Sequence, residues 1–185
     1  MSVSHGILCL LGEHPQHGYQ LRLEFEAVTG GTWPLNVGQV YTTLGRLERD
    51  GLVEPDGATD ASGRNAYRIT DTGRTALATW FVDPVRRDGN AREELVAKIA
   101  LAIATPSVDT HEVVLTQRAA TLEAMRSLTT RKRTSEDAAE RLVLDSQLFH
   151  AEAEVRWLDH CLEQLPPDTE ADTPTTTSYT PKDPS

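Results

Sequence analysis

At 185 residues and 20.4 kDa the chain is long enough for one or two small domains with adequate cores. Its formal net charge of −10 excludes a uniformly basic nucleic-acid coat, and no segment reaches the ~18–20 apolar residues of a membrane span. Cys9 and Cys161 fit no metal-ligand spacing and read as buried free thiols, while the start of the chain lacks a basic region and a long apolar core, so the expected location is the cytoplasm.

In chain order, Gly6 to Gly12 is a short apolar run that predicts a buried helix. His14-Pro15 breaks it. A second helix runs to about Val28, kept amphipathic by Leu21, Phe25 and Val28 and ended by Gly30-Gly31. Trp33 and Pro34 form a turn, and Asn36 then stands as N-cap of a third helix with Gly51 just beyond its end. Leu52-Val53-Glu54 reads as a short strand, Pro55 to Asn65 as a loop, and Ala66 to Thr70 as the returning strand. Asp71-Thr72-Gly73 opens a fourth helix. Helix, helix, helix and hairpin together predict a winged helix-turn-helix over residues 1–83.

The third helix is the most informative element. Val37, Val40, Leu44 and Leu47 form one apolar stripe, and Gln39, Thr42, Thr43, Arg46 and Arg49 are placed on the opposite face. Hydrogen-bonding side chains near the N-terminal end with cations toward the C-terminal end suit a helix whose first turns meet base edges and whose flanks meet phosphates. The candidate DNA-contacting residues are therefore Asn36, Gln39, Thr42, Thr43 and Arg46, with Arg64 and Arg68 on the wing. Plainer readings of the helix remain. Tyr41 could cover the edge of the core, and Gln39 and Thr42 could be uninvolved surface. Arg46 and Arg49 could pair with Glu48, Asp50 or Glu54. Residues 1–90 carry 8 Lys and Arg against 11 Asp and Glu, and residues 91–185 carry 10 against 17, so the acid lies mainly behind the reading head.

The second half is helical. A segment from Arg92 to Ala104 is apolar between Leu95 and Ile103 except at Lys98, which predicts burial on more than one side. A helix from about Val108 to Lys132 offers Leu115, Leu122, Met125 and Leu128 to a following helix, with Thr134 or Ser135 as the cap between them. That following helix carries a heptad seam of Leu144, Leu148, Ala151, Val155, Leu158, Leu162 and Leu165. The seam serves either an intramolecular helix pair or a dimer. Residues 91–165 are read as a helical dimerisation and effector domain, and residues 166–185 as a disordered tail rich in Pro and Thr.

The predicted fold is mostly α with a small β-hairpin wing: an N-terminal winged helix-turn-helix and a C-terminal, coiled-coil-like dimerisation domain. His17-Gly18-Tyr19, the run from Gly38 through Val40-Tyr41, Leu44, Leu47-Glu48 and Asp50-Gly51-Leu52-Val53, and Tyr67-Arg68-Ile69-Thr70-Asp71 with Gly73 together resemble the PadR-like transcriptional regulators. Residues 81–165 are similar to the helical half of the longer members. The resemblance implies a homodimeric repressor of a pseudo-palindromic duplex DNA operator, and it favours a DNA contact for Tyr41. It also implies release by a small, often aromatic effector, for which Trp80, Trp157, Leu95, Ile99 and Leu158 are candidate pocket residues. No catalytic residues, cofactor, metal ion or membrane partner are expected. The competing reading is a winged-helix protein-interaction module without specific DNA binding, motivated by the acidic charge.

Overall fold

A computed structural model of the chain describes residues 3–59, 65–85 and 91–166. The elements are α1 (Val3–Glu13), β1 (Gln16–His17), α2 (Gly18–Val28), α3 (Val37–Arg49), β2 (Val53–Thr59), β3 (Asn65–Ile69), α4 (Asp71–Val82), α5 (Ala91–Ile103), α6 (Thr110–Thr134) and α7 (Ala138–Gln164). The apolar run of the first helix is buried from Gly6 to Leu11, and Gly6 lets α2 cross closely: a Cβ there would lie 2.4 Å from the Phe25 ring. Val40, Leu44 and Leu47 anchor α3 to the same core.

The sheet has one strand more than the hairpin the sequence predicts. Gln16-His17, which reads as part of a breaker, pairs antiparallel with Tyr67 and Ala66, giving the order β1-β3-β2. Two residues are too few to show any periodicity, so only the fold reveals this strand. The outgoing strand β2 also runs on to Thr59 through a stretch whose composition reads as loop. Its pairing is irregular between Pro55 and Thr59, where Gly57 has φ 79°, and Pro55 is tolerated because β2 is an edge strand.

Two apolar cores are joined by α5. Leu101 and Ala102 pack into the large core of α1–α4, whereas Leu95 and Ile99 pack with Val114 and Leu158 of α6 and α7. Burial on two sides, expected from the continuous apolar run, is thus what α5 shows, except that Ile103 at its end is exposed.

The last two helices form an antiparallel hairpin. Lys132 pairs with Asp145 near the turn, Arg118 pairs with Asp159 farther along, and Gln117 donates to Glu154 at 3.2 Å. Leu144, Ala151 and Leu158 of the heptad seam are fully buried within the chain, and Leu148, Val155, Leu162 and Leu165 are half-buried. Two details correct the sequence reading. The α7 cap is Asp137, whose side chain accepts from the Ala139 N–H, while the Ser135 hydroxyl bonds Glu140. Leu115, expected at the helix pair, is 51% exposed on the other face of α6.

Candidate nucleic-acid interface

The N-terminus of α3 is built by a reciprocal cap. Asn36 sits in extended geometry and its Oδ1 accepts the Gln39 N–H at 2.8 Å, while Gln39 Oε1 accepts the Asn36 N–H at 3.0 Å. The carbonyl oxygens of both amides are therefore engaged at the cap. Both side chains are exposed and their NH2 groups donate to no acceptor among the described residues, which suits external acceptors such as phosphate oxygens or a purine N7.

Along the exposed face, Gln39, Thr42, Arg46 and Arg49 follow the helical spacing. No carboxylate among the described residues lies within 4 Å of either arginine, so the pairings with Glu48, Asp50 or Glu54 do not form there. These two guanidiniums remain available to an external anion. Thr43 differs from the expectation. It is 4% exposed, and its hydroxyl donates to the Gln39 carbonyl at 2.8 Å, so it belongs to the buried side of α3. A stripe drawn from apolar residues alone passes beside Thr43 and misses a threonine that satisfies its own hydroxyl within the helix.

Tyr41 is half-buried. Its ring packs against Gly18 of α2, where a Cβ would come within 2.8 Å, and its hydroxyl is enclosed with no hydrogen-bond partner among the described residues. Within the described structure the ring therefore joins the second and third helices. Tyr19 of α2 is 48% exposed, with the Arg22 guanidinium 5.4 Å from its ring centroid.

Composition drew no attention to Gly45. It lies mid-helix on the exposed face with no atom within 4 Å of where its Cβ would be, so neither conformation nor packing calls for glycine. The available signal was the helix propensity it sacrifices, about 1 kcal/mol against alanine. What its missing side chain leaves is open surface between Thr42 and Arg49.

An open cleft of about 710 Å³ runs beside α3. Asn36, Gln39, Thr42 and Arg46 form one wall, and Ser4 of α1 and Glu94 of α5 form part of the other. On the wing, Arg68 is exposed but ion-paired to Glu54 at 2.7 Å and to Asp56 at 3.7 Å. A phosphate would have to compete with both carboxylates for that guanidinium. Arg64, the other wing candidate, lies outside the described residues. Replacing Glu54 by Gln and Asp56 by Asn is accordingly expected to strengthen DNA binding by about threefold to thirtyfold at low salt, fading as salt rises. An unchanged affinity in titrations at two salt concentrations would show that Arg68 does not meet DNA.

The two tryptophans do not share a pocket. Trp157 packs with Leu95, Ile99 and Leu158 in the bundle core, whereas Trp80 packs against the head. The Trp80 ring stacks on His5 at 4.6 Å, and its Nε1–H donates to Glu94 at 3.1 Å. Lys98, 2% exposed, places its ammonium 5.5 Å from the same ring and donates to the Asp83 carbonyl. Burial pushes Lys98 down to about 8, against the pull of Asp83 and Glu94, and burial also lowers His5. Cys9 is pushed up to about 11 by burial and its Sγ lies 3.4 Å from the Thr105 hydroxyl, which makes it an unreactive packing thiol.

Among the described residues, no group of three or more His, Cys, Asp or Glu is arranged to hold a metal ion, and no helix is long and apolar enough to cross a membrane. Residues 7–79, the segment that builds the capped α3 and its sheet, match the model of the transcriptional regulator PadR-like family. This N-terminal segment is similar to the PadR-like family over its whole length. Residues 91–166 match a second model, the virulence activator alpha C-terminal domain. The curated protein named "Probable transcriptional regulator Rv1176c" of Mycobacterium tuberculosis is 27% identical, over 89% of this chain and 98% of its own length. Among solved structures, Bacillus subtilis PadR in complex with operator DNA is 19% identical, covering 88% of this chain and 97% of that one with a TM-score of 0.42. The same protein in complex with p-coumaric acid is 20% identical, with coverages of 87% and 96% and a TM-score of 0.41.

Proposed function

We propose that this PadR-like transcriptional regulator is a homodimeric repressor that binds a pseudo-palindromic operator through α3 and is released by a small effector. The observation that carries the reading is a capped helix whose exposed face carries two amide side chains and, beyond them, Arg46 and Arg49, which pair with no carboxylate among the described residues. Asn36, Gln39 and Thr42 are the proposed contacts of the N-terminal turns, with Arg46 on phosphate or a guanine edge. Arg64 and Arg68 are the proposed wing contacts, and Tyr41 reaches DNA only at the edge of its packed ring.

Dimerisation follows from the energetics of reading. One winged helix discriminates only a few base pairs at about 1–3 kcal/mol each, so specificity needs two half-sites. Leu142 and Phe149, seven residues apart on one face of α7 and 71% and 69% exposed, are apolar surface that a second copy could cover. The effector is part of the proposal through the similarity to the PadR-like family. Its site is left open, because the pairing of Trp80 with Trp157 that suggested one is absent.

A protein-interaction role remains the second reading, favoured by the net charge and by the neutralised Arg68. The deciding experiment is selection of duplexes from a random-sequence library by the full-length chain. Fluorescence anisotropy then compares the selected duplex with its scrambled counterpart at about 150 mM salt, where weak phosphate binding is already screened. A preference of about 10³-fold or more for a palindromic winner supports the operator reading. Equal affinity for the two duplexes would sink it in favour of protein partners.

A further inference from the structure

Four side chains from three helices meet where the reading head joins the bundle. His5 comes from α1, Trp80 from α4, and Glu94 and Lys98 from α5. Trp80 is held on one face by His5, at 4.6 Å with 9° between the rings, and its indole N–H is held by Glu94. Lys98 reaches past Trp80 to the carbonyl of Asp83, the residue that caps the C-terminus of α4. A cation there also meets the negative end of the helix dipole.

This placement matters because the apolar faces of α5 divide between the two cores. Leu101 and Ala102 face the head, and Leu95 and Ile99 face the bundle. Apolar contacts are non-directional, so by themselves they permit one body to slide or rotate slightly on the other. The hydrogen bonds from Lys98 and Trp80 are directional and fix one arrangement. Desolvating a buried ammonium offsets much of what its hydrogen bond to the Asp83 carbonyl returns, so Lys98 is weak evidence for stability and its role is sought in geometry. The cluster also touches the reading surface directly, since Glu94 lines the cleft opposite Gln39 and Arg46.

We propose that the His5–Trp80–Glu94–Lys98 cluster is a latch that fixes the orientation of the reading head on the bundle, and thereby sets the operator half-site spacing that the dimer accepts. This rests on the dimeric operator-binding reading above. Each added base pair moves one half-site by about 3.4 Å and rotates it by about 34–36°. A latched head cannot follow that displacement, whereas a head held by apolar contacts alone can. Lys98 and Trp80 are positioning residues and touch no DNA.

The test uses the palindrome selected by the full-length chain, re-made with one or two base pairs inserted or deleted between half-sites, and a duplex carrying a single half-site. The wild type is expected to lose tenfold or more for each base pair of displacement. Lys98→Met is expected to flatten that profile to within about threefold while single-half-site affinity stays the same. If Lys98→Met does not melt cooperatively, Trp80→Phe, which removes only the indole and its N–H to Glu94, decides the matter by the same profile. A variant profile as sharp as the wild type's overturns the proposal. So does an equal loss at every spacing, including the single half-site, because Lys98 would then act within the head. A wild type that selects no palindrome defeats the dimeric operator reading itself, which a sharp profile in both proteins would leave standing.

Discussion

Arg46→Ala is expected to weaken operator binding by about 30-fold to 1,000-fold while leaving the melting temperature within about 2 °C of wild type. The magnitude follows from symmetry. A guanidinium contact to phosphate or to a guanine edge is worth about 1–2 kcal/mol, and a dimer makes it twice, so about 2–4 kcal/mol is lost. Stability is spared because Arg46 is exposed and pairs with no carboxylate among the described residues. Two further readouts separate the kinds of contact. If Arg46 meets phosphate, the loss is the same on every duplex and the dependence of log affinity on log salt falls by about 2 for the dimer. If it reads a base, preference at one position of each half-site relaxes instead. Combining it with Arg64→Ala adds the wing contact, and binding that survives the pair unchanged would place the DNA somewhere other than on α3.

The head was largely legible in the sequence because its signals are local. A cap at Asn36, a stripe at Val40, Leu44 and Leu47, and a stop at Gly51 each depend on residues within one helix, and all three stand as read. What the sequence concealed depends on partners distant in the chain. Gln16-His17 becomes a strand only because β3 returns beside it, and Thr43 is buried although its type suggests surface. The same holds for Arg68. Its basic side chain made it a wing candidate, yet Glu54 lies opposite it in the β2–β3 register and takes the charge. In the second half, the periodicity of α7 correctly marked the seam, but the pattern could not tell an intramolecular hairpin from a dimer. The buried Leu144, Ala151 and Leu158 settle that for one stripe, leaving the opposite face of α7 for other partners.

Gly73→Ala should be the most damaging small substitution in the head, destabilising the protein by about 2–4 kcal/mol and lowering its melting temperature by about 5–15 °C. Gly73 stands in the first turn of α4 with ordinary backbone geometry, so the cost is spatial and not conformational. A Cβ there would lie 2.1 Å from the Leu52 carbonyl oxygen and 2.7 Å from Ile69 Cγ1. That oxygen cannot easily withdraw. It accepts the Thr70 N–H at 3.0 Å, while the Thr70 hydroxyl donates to Gly51 at 2.7 Å and caps α4 by accepting the Gly73 N–H at 3.0 Å. Moving the helix away therefore breaks the cap and the link between the end of α3 and the start of α4 together. Alanine recovers about 1 kcal/mol of helix propensity, which is too little to offset such a clash. Gly45→Ala supplies the internal comparison, since no atom lies within 4 Å of its Cβ position. It should gain the propensity term alone and melt slightly above wild type. If the two variants melt at the same temperature, the junction between Gly51-Leu52 and the start of α4 is looser than this geometry requires, and the C-terminal end of α3 is not held by it.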